Sequence, residues 1–225
     1  MEGIMNGKAH ILRFDPAAEA APHWQDYEYT FSEGETALDV LNRIFAEDPS
    51  LYFEQCCKNL HCGICGAVVN GRSCLLCREP ARAEMTFEPL RNFPVKKDLA
   101  VLRNDYEDRR KSLRLFLERR ENWNGKETAE PVNMEQNALF KKVSRCIECY
   151  CCVSECPVFA DQPHAFWGPA ALMLEARHIF DPRDELSRNL IVKSMGAELC
   201  VGCGACDAVC PHSIPISEMI EKIQQ

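Results

Sequence analysis

Two runs of this chain, "RCIECYCCVSECP" at 145–157 and "LCVGCGACDAVCP" at 199–211, set four cysteines at the spacing C-x2-C-x2-C-x3-C and follow the last with proline. That is the bacterial ferredoxin pattern, in which the fourth cysteine of each run ligates the cluster of the other run. The rule assigns Cys146, Cys149, Cys152 and Cys210 to one [4Fe–4S] cluster, and Cys200, Cys203, Cys206 and Cys156 to a second. Because each cluster draws on both runs, folding of this half is expected to be coupled to cluster assembly. Pro157 and Pro211 turn the chain away after the crossing ligand.

A third group lies upstream. Cys57, Cys62 and Cys65 stand at C-x4-C-x2-C, and Cys77 follows, which is the plant-type spacing for a [2Fe–2S] cluster. Such a loop wraps its cluster with backbone N–H groups donating to sulfur, and Gly63 and Gly66 permit close approach. Structural zinc, the plain competitor, is held by two separated pairs rather than by three thiols in one tight loop. Twelve of the fifteen cysteines are thereby assigned. Cys56, Cys74 and Cys151 are spare, the first two reading as small buried hydrophobes. His61, His164 and His178 read as structural.

The net charge of −8 argues against a nucleic-acid or anionic-membrane surface. No stretch approaches the roughly 18 apolar residues of a membrane span, and "MEGIMNGKAHILRF" lacks the marks of a signal peptide. The chain therefore reads as cytoplasmic, peripheral on the cytoplasmic face of a membrane through partner subunits. It carries no dinucleotide-binding or phosphate-binding loop and no nucleophile–base pair, so no catalytic residue is assigned and the substrate chemistry is expected on a partner.

Local patterns divide the chain in two. In "YEYTFS" Tyr27, Tyr29 and Phe31 alternate with Glu28, Thr30 and Ser32 as in a strand. "TALDVLNRIFAED" predicts a helix capped by Thr36 and Asp39, with Ala37, Leu38, Leu41, Ile44 and Phe45 buried. Asn70-Gly71 between apolar runs predicts a hairpin, and "EMTFEPL" another strand. From Leu102 to Trp123 a helical period of Leu102, Tyr106, Leu113 and Phe116 runs beneath mixed charges that predict a solvated face, with "NGKETAEPVN" connecting onward. "GPAALMLEARHIF" predicts a helix with Pro169 at its start and Pro182 past its end. The expected fold is α+β, with a β-grasp [2Fe–2S] ferredoxin-like domain at 1–105 and an all-α double-cubane ferredoxin-type domain at 106–225.

With "ILRFDP", "CKNLHCGIC", "VNGRSCLLC", "EPLRNFPVKKDL", "CIECYCCVSECP" and "GPAALM" in this order, the chain resembles the iron–sulfur subunit of succinate dehydrogenase and fumarate reductase. The resemblance implies single-electron relay between an FAD-bearing flavoprotein and a quinone or other carrier. By the same likeness, the Cys57 group is the flavin-proximal centre and the Cys146 group the middle one. It also implies a membrane anchor; the alternative partner is a soluble cysteine-rich subunit that handles thiols. Two positions depart from the family pattern. Most members have a non-cysteine at Cys203 and a [3Fe–4S] cluster there, whereas the thiol here predicts [4Fe–4S]. Quinone-reactive members place tryptophan and histidine where this chain has Asp161 and Val201.

Overall fold

The computed structural model describes residues 3–119 and 133–224. Trp123, Arg120, Glu121 and all but the last residue of the "NGKETAEPVN" connection lie outside them. The chain forms two compact units: Met1–Asp105 with Ile147–Glu155 and Val209–Pro211, and Tyr106–Cys146 with Cys156–Ala208 and His212–Gln225. The expected contiguous division is thus crossed twice, because parts of both cysteine runs pack with the first unit.

In the first unit, β1 (Met5–Arg13) pairs antiparallel with β2 (His23–Phe31). Helix α1 (Ala37–Glu47) packs beside β2. β3 (Gly66–Val69) and β4 (Arg72–Leu75) form the hairpin around Asn70-Gly71, both with positive φ as a two-residue primed turn requires. β5 (Glu84–Glu88) runs parallel to β1 and antiparallel to β3, giving a mixed five-stranded sheet in the order β2-β1-β5-β3-β4. A small ribbon, β6 (Val95–Lys97) and β7 (Ala100–Val101), follows.

Alternation along the strands buries Ala9, Ile11, Tyr29, Phe31, Met85 and Phe87, and α1 buries Leu38, Val40, Leu41 and Ile44 in the same unit. Each large apolar side chain buried this way is worth roughly 1.5–3 kcal/mol. Thr36 and Asp39 form the expected capping box. Phe45, expected in the stripe, is instead 43% exposed and stacks edge-on with Phe53, while Val40 takes the inward place. Arg13 is buried and donates through Nε to Asp98 Oδ1 at 3.0 Å. The same carboxylate accepts from Phe14 N and Tyr52 N, which fixes the segment leading into the first cysteine loop.

The second unit is helical. Asn104–Ser112 is much shorter than the expected helix, and Leu102 and Phe116 are exposed. The reason lies in Arg188, which is fully buried and donates to the carbonyls of Arg114 and Phe116. Those acceptors are taken from any continuing helix, and Asp184 and Glu185 exchange further bonds with Glu118. Arg188 also pairs with Glu175 at 2.9 Å and Asp184 at 2.8 Å. Glu175 projects from Pro169–Ile179, the buried central helix, which begins with proline at its first position as expected. Gly168 offers that helix no side-chain cap, and Tyr106 Oη accepts from Ala171 N at 2.7 Å in its place. Met134–Val143 and Ile216–Ile223 flank it.

Candidate metal centres

The loop from Cys57 to Cys65 has Lys58, Leu60 and Gly63 at positive φ. Non-glycine residues seldom adopt that conformation, and here it turns successive N–H groups inward as an anion-binding concavity. Cys57 Sγ accepts from Asn59 N at 3.4 Å and from His61 N and Cys62 N at 3.3 Å. These donors, aided by the Cys62 thiol, bring its pKa down to about 6. A sulfur so served is held as a thiolate, as cluster ligation demands. Cys65 is buried beneath the loop, and burial pushes it up to about 12, with Cys77 and Cys62 as its thiol neighbours. His61 contributes its backbone to this concavity while its residue is exposed.

Gly63 and Gly66 are also crowded by the segment that carries Cys149. A Cβ on Gly63 would lie 2.8 Å from Ile147 O and 3.0 Å from Cys149 Cβ, and one on Gly66 would lie 3.2 Å from Cys149 O. The first cysteine loop therefore rests on the backbone that carries Cys149. That backbone is stapled to the sheet unit by side chains distant in sequence. Ser73 Oγ meets Ser154 Oγ and Glu155 Oε1 at 2.7 Å, Arg91 N donates to Ser154 Oγ, and Asn92 Nδ2 donates to Val153 O.

Cys149 and Cys152 are buried in this unit, and Cys210 is half-buried in it. Cys151 is fully buried and hydrogen-bonds to Cys149; this contact and the Arg103 guanidinium hold Cys149 below the usual thiol range. Of the other spare cysteines, Cys56 is exposed, not buried as expected, because the loop turns it outward. Cys74 is half-buried, and burial pushes it up to about 12, as for an inert thiol. Arg103 was not legible as part of a site, since nothing local distinguishes it in "DLAVLRN".

Cys146, half-buried, belongs to the second unit, where Arg177 donates to its carbonyl. Cys156, Cys200, Cys203 and Cys206 all belong to that unit too. Cys156 is pushed up by burial first and then by Cys203 and Cys200, and Cys206 by burial, Asp207, Cys200 and Cys156. Cys203 and Cys200 thus act on the Cys156 thiol, and Cys200 and Cys156 on that of Cys206, while Cys203 itself is exposed. The Cys156 and Cys206 thiols, so raised, stay protonated unless a positive centre compensates them, which is what iron would supply. Among the described residues, no group of three or more His, Cys, Asp or Glu is gathered for a single metal ion. Asp161 and Val201 are both exposed. Val201, at 71%, borders a cavity of about 380 Å³ that Cys200, Ser217, Ile220 and Glu221 also line.

Residues 8–108 match the family model of a 2Fe-2S iron-sulfur cluster binding domain, and residues 142–214 that of a 4Fe-4S dicluster domain. The chain is 32% identical to a mitochondrial succinate dehydrogenase iron–sulfur subunit of Oryza sativa, over 96% of this chain and 80% of that protein. It is 31% identical to a fumarate reductase (CoM/CoB) polypeptide of Methanothermobacter marburgensis, over 95% of this chain but 43% of that longer protein. A chain of the Mycobacterium smegmatis Sdh1 complex in the apo form superposes with a TM-score of 0.87 at 26% identity, covering 98% of this chain and 96% of that one.

Proposed function

The chain belongs to the iron–sulfur subunits of succinate dehydrogenase and fumarate reductase, and on that premise we propose that it relays single electrons between an FAD-bearing subunit and a quinone or other carrier. When bound, three clusters would supply the one-electron steps. Cys57, Cys62, Cys65 and Cys77 would hold [2Fe–2S] in a β-grasp domain; Cys146, Cys149, Cys152 and Cys210 would hold [4Fe–4S] in the family's double-cubane arrangement. The chain's own part is to present thiolates, aim backbone donors at them and exclude water. The observation that carries this reading is the trio of N–H groups directed at Cys57 Sγ, which a free thiol has no use for.

For the third set, Cys156, Cys200, Cys203 and Cys206, we favour [4Fe–4S] over [3Fe–4S], because the second run matches the four-cysteine pattern in full and Cys203 lies near enough to act on the Cys156 thiol. A fourth thiolate adds negative charge and lowers the potential, suiting a more reducing carrier. The substrate-converting site lies on the partner in this reading, and the family relation supports a flavoprotein and a membrane anchor. Among the described residues no helix is long and apolar enough to cross a membrane. Attachment at the cytoplasmic face would therefore run through the anchor.

Native mass spectrometry of the complex, isolated anaerobically through this chain, tests the partners. A flavoprotein with a membrane anchor is expected; a soluble cysteine-rich subunit in the anchor's place would move the carrier from quinone to thiols. Electron paramagnetic resonance tests the third set. A three-iron signal is expected in Cys203→Ser and not in the wild type, and its presence in the wild type would remove Cys203 from the ligands.

A further inference from the structure

We propose that Arg103 is a fixed positive charge that raises the reduction potential of the centre on Cys149 and Cys152, favouring electron transfer into it from the Cys57–Cys77 centre. The inference rests on the reading that those thiols hold a cluster. Arg103 follows β7 and its side chain is only 13% exposed. Its Nη2 donates to Ile64 O at 3.1 Å, a carbonyl between Gly63 and Cys65. Its guanidinium carbon stands 5.4 Å from the Tyr150 ring centroid, next in sequence to Cys149.

A buried guanidinium normally sits in a close carboxylate fork. Here the carboxylate of Glu54 is distant at 3.9 Å, and the buried Nε has no hydrogen-bond partner. Arg13 and Arg188, buried in the same protein, hold their carboxylates at 2.8–3.1 Å. The under-compensated cation lies where the first cysteine loop touches the Cys149 backbone. A [4Fe–4S] cluster on four thiolates is a net anion, which would supply the missing counter-charge. Reduction adds one electron and breaks no bond, so a neighbouring cation in a low-dielectric setting stabilises the reduced form. Lysine would keep that charge without the planar fork, and glutamine would keep a donor without the charge.

The experiment is a potentiometric titration, read by electron paramagnetic resonance, on the intact complex carrying Arg103→Gln, Arg103→Lys or Glu54→Gln. At a fixed ambient potential, Arg103→Gln is expected to lower the reduced-to-oxidised ratio of the middle centre about tenfold, equivalent to 59 mV for one electron. Arg103→Lys should keep the wild-type ratio, and Glu54→Gln, which removes the competing anion, should raise it. An unchanged ratio in an intact Arg103→Gln complex overturns the proposal, as does an equal fall in the lysine variant. If the glutamine variant fails to assemble, Glu54→Gln decides: a rise supports the proposal, and no rise overturns it. A wild-type complex whose iron and sulfide content lacks the middle cluster would instead sink the ligand reading itself.

Discussion

Gly63 shows how one residue can carry two constraints. Its φ is +67°, and a Cβ would fall 2.8 Å from Ile147 O, which is backbone and cannot swing aside. Left-handed backbone alone costs an L-residue roughly 1–2 kcal/mol. Gly63→Ala is therefore expected to lower stability by at least about 2 kcal/mol once overpacking is added. Urea denaturation under argon checks this, and an effect under half that size would show that the loop gives way. The cysteines were legible because ligand spacing is a local property of the sequence. The partner of Gly63 was not, because Ile147 and Cys149 reach it only through the tertiary fold. The outward turn of Cys56 was hidden for the same reason, since spacing says nothing about which way a neighbouring thiol faces.

Among the elements, α1 and the Asn70-Gly71 hairpin are written in short stretches, so cap and turn chemistry foretold them. Thr36→Ala removes the acceptor for Asp39 N and is expected to cost about 1 kcal/mol, read as a drop in thermal midpoint. The segment after Ser112 defied its helical period because Arg188, distant in sequence, claims two of its carbonyls. Arg188→Met would leave Glu175 and Asp184 buried without their cation, and a loss of about 3–5 kcal/mol is expected. Denaturant titration checks it, and a near-neutral result would mean that the two carboxyls find other partners. Periodicity cannot foresee such a competitor, and the exposure of Phe45 is a milder case of the same kind.

At the scale of the whole chain, acid should weaken the fold through His178. Burial and Arg188 hold its pKa below the ordinary 6.5. The unfolded chain therefore takes up a proton near that value before the folded one does, and stability present above it is lost as pH falls. His178→Gln should flatten this part of the stability profile as pH falls through the ordinary histidine value; an unaltered slope would assign the loss elsewhere. Iron removal should act unevenly. Ile147–Glu155 is held to the sheet unit by Ser73, Arg91 and Asn92, whereas Val201, Gly202 and Cys203 are exposed. After anaerobic chelation, hydrogen exchange should therefore rise steeply around Cys200–Cys206 and only slightly across Ile147–Glu155. The division at 105 is expected as a simple cut, yet the chain leaves the sheet unit, returns as Ile147–Glu155, leaves, and returns once more as Val209–Pro211. A protease nick anywhere between Asp105 and Ile147 therefore severs the chain without releasing two separate pieces: the downstream fragment stays clasped to the upstream one by its own returning loop, and the two should co-elute until denaturant opens the clasp.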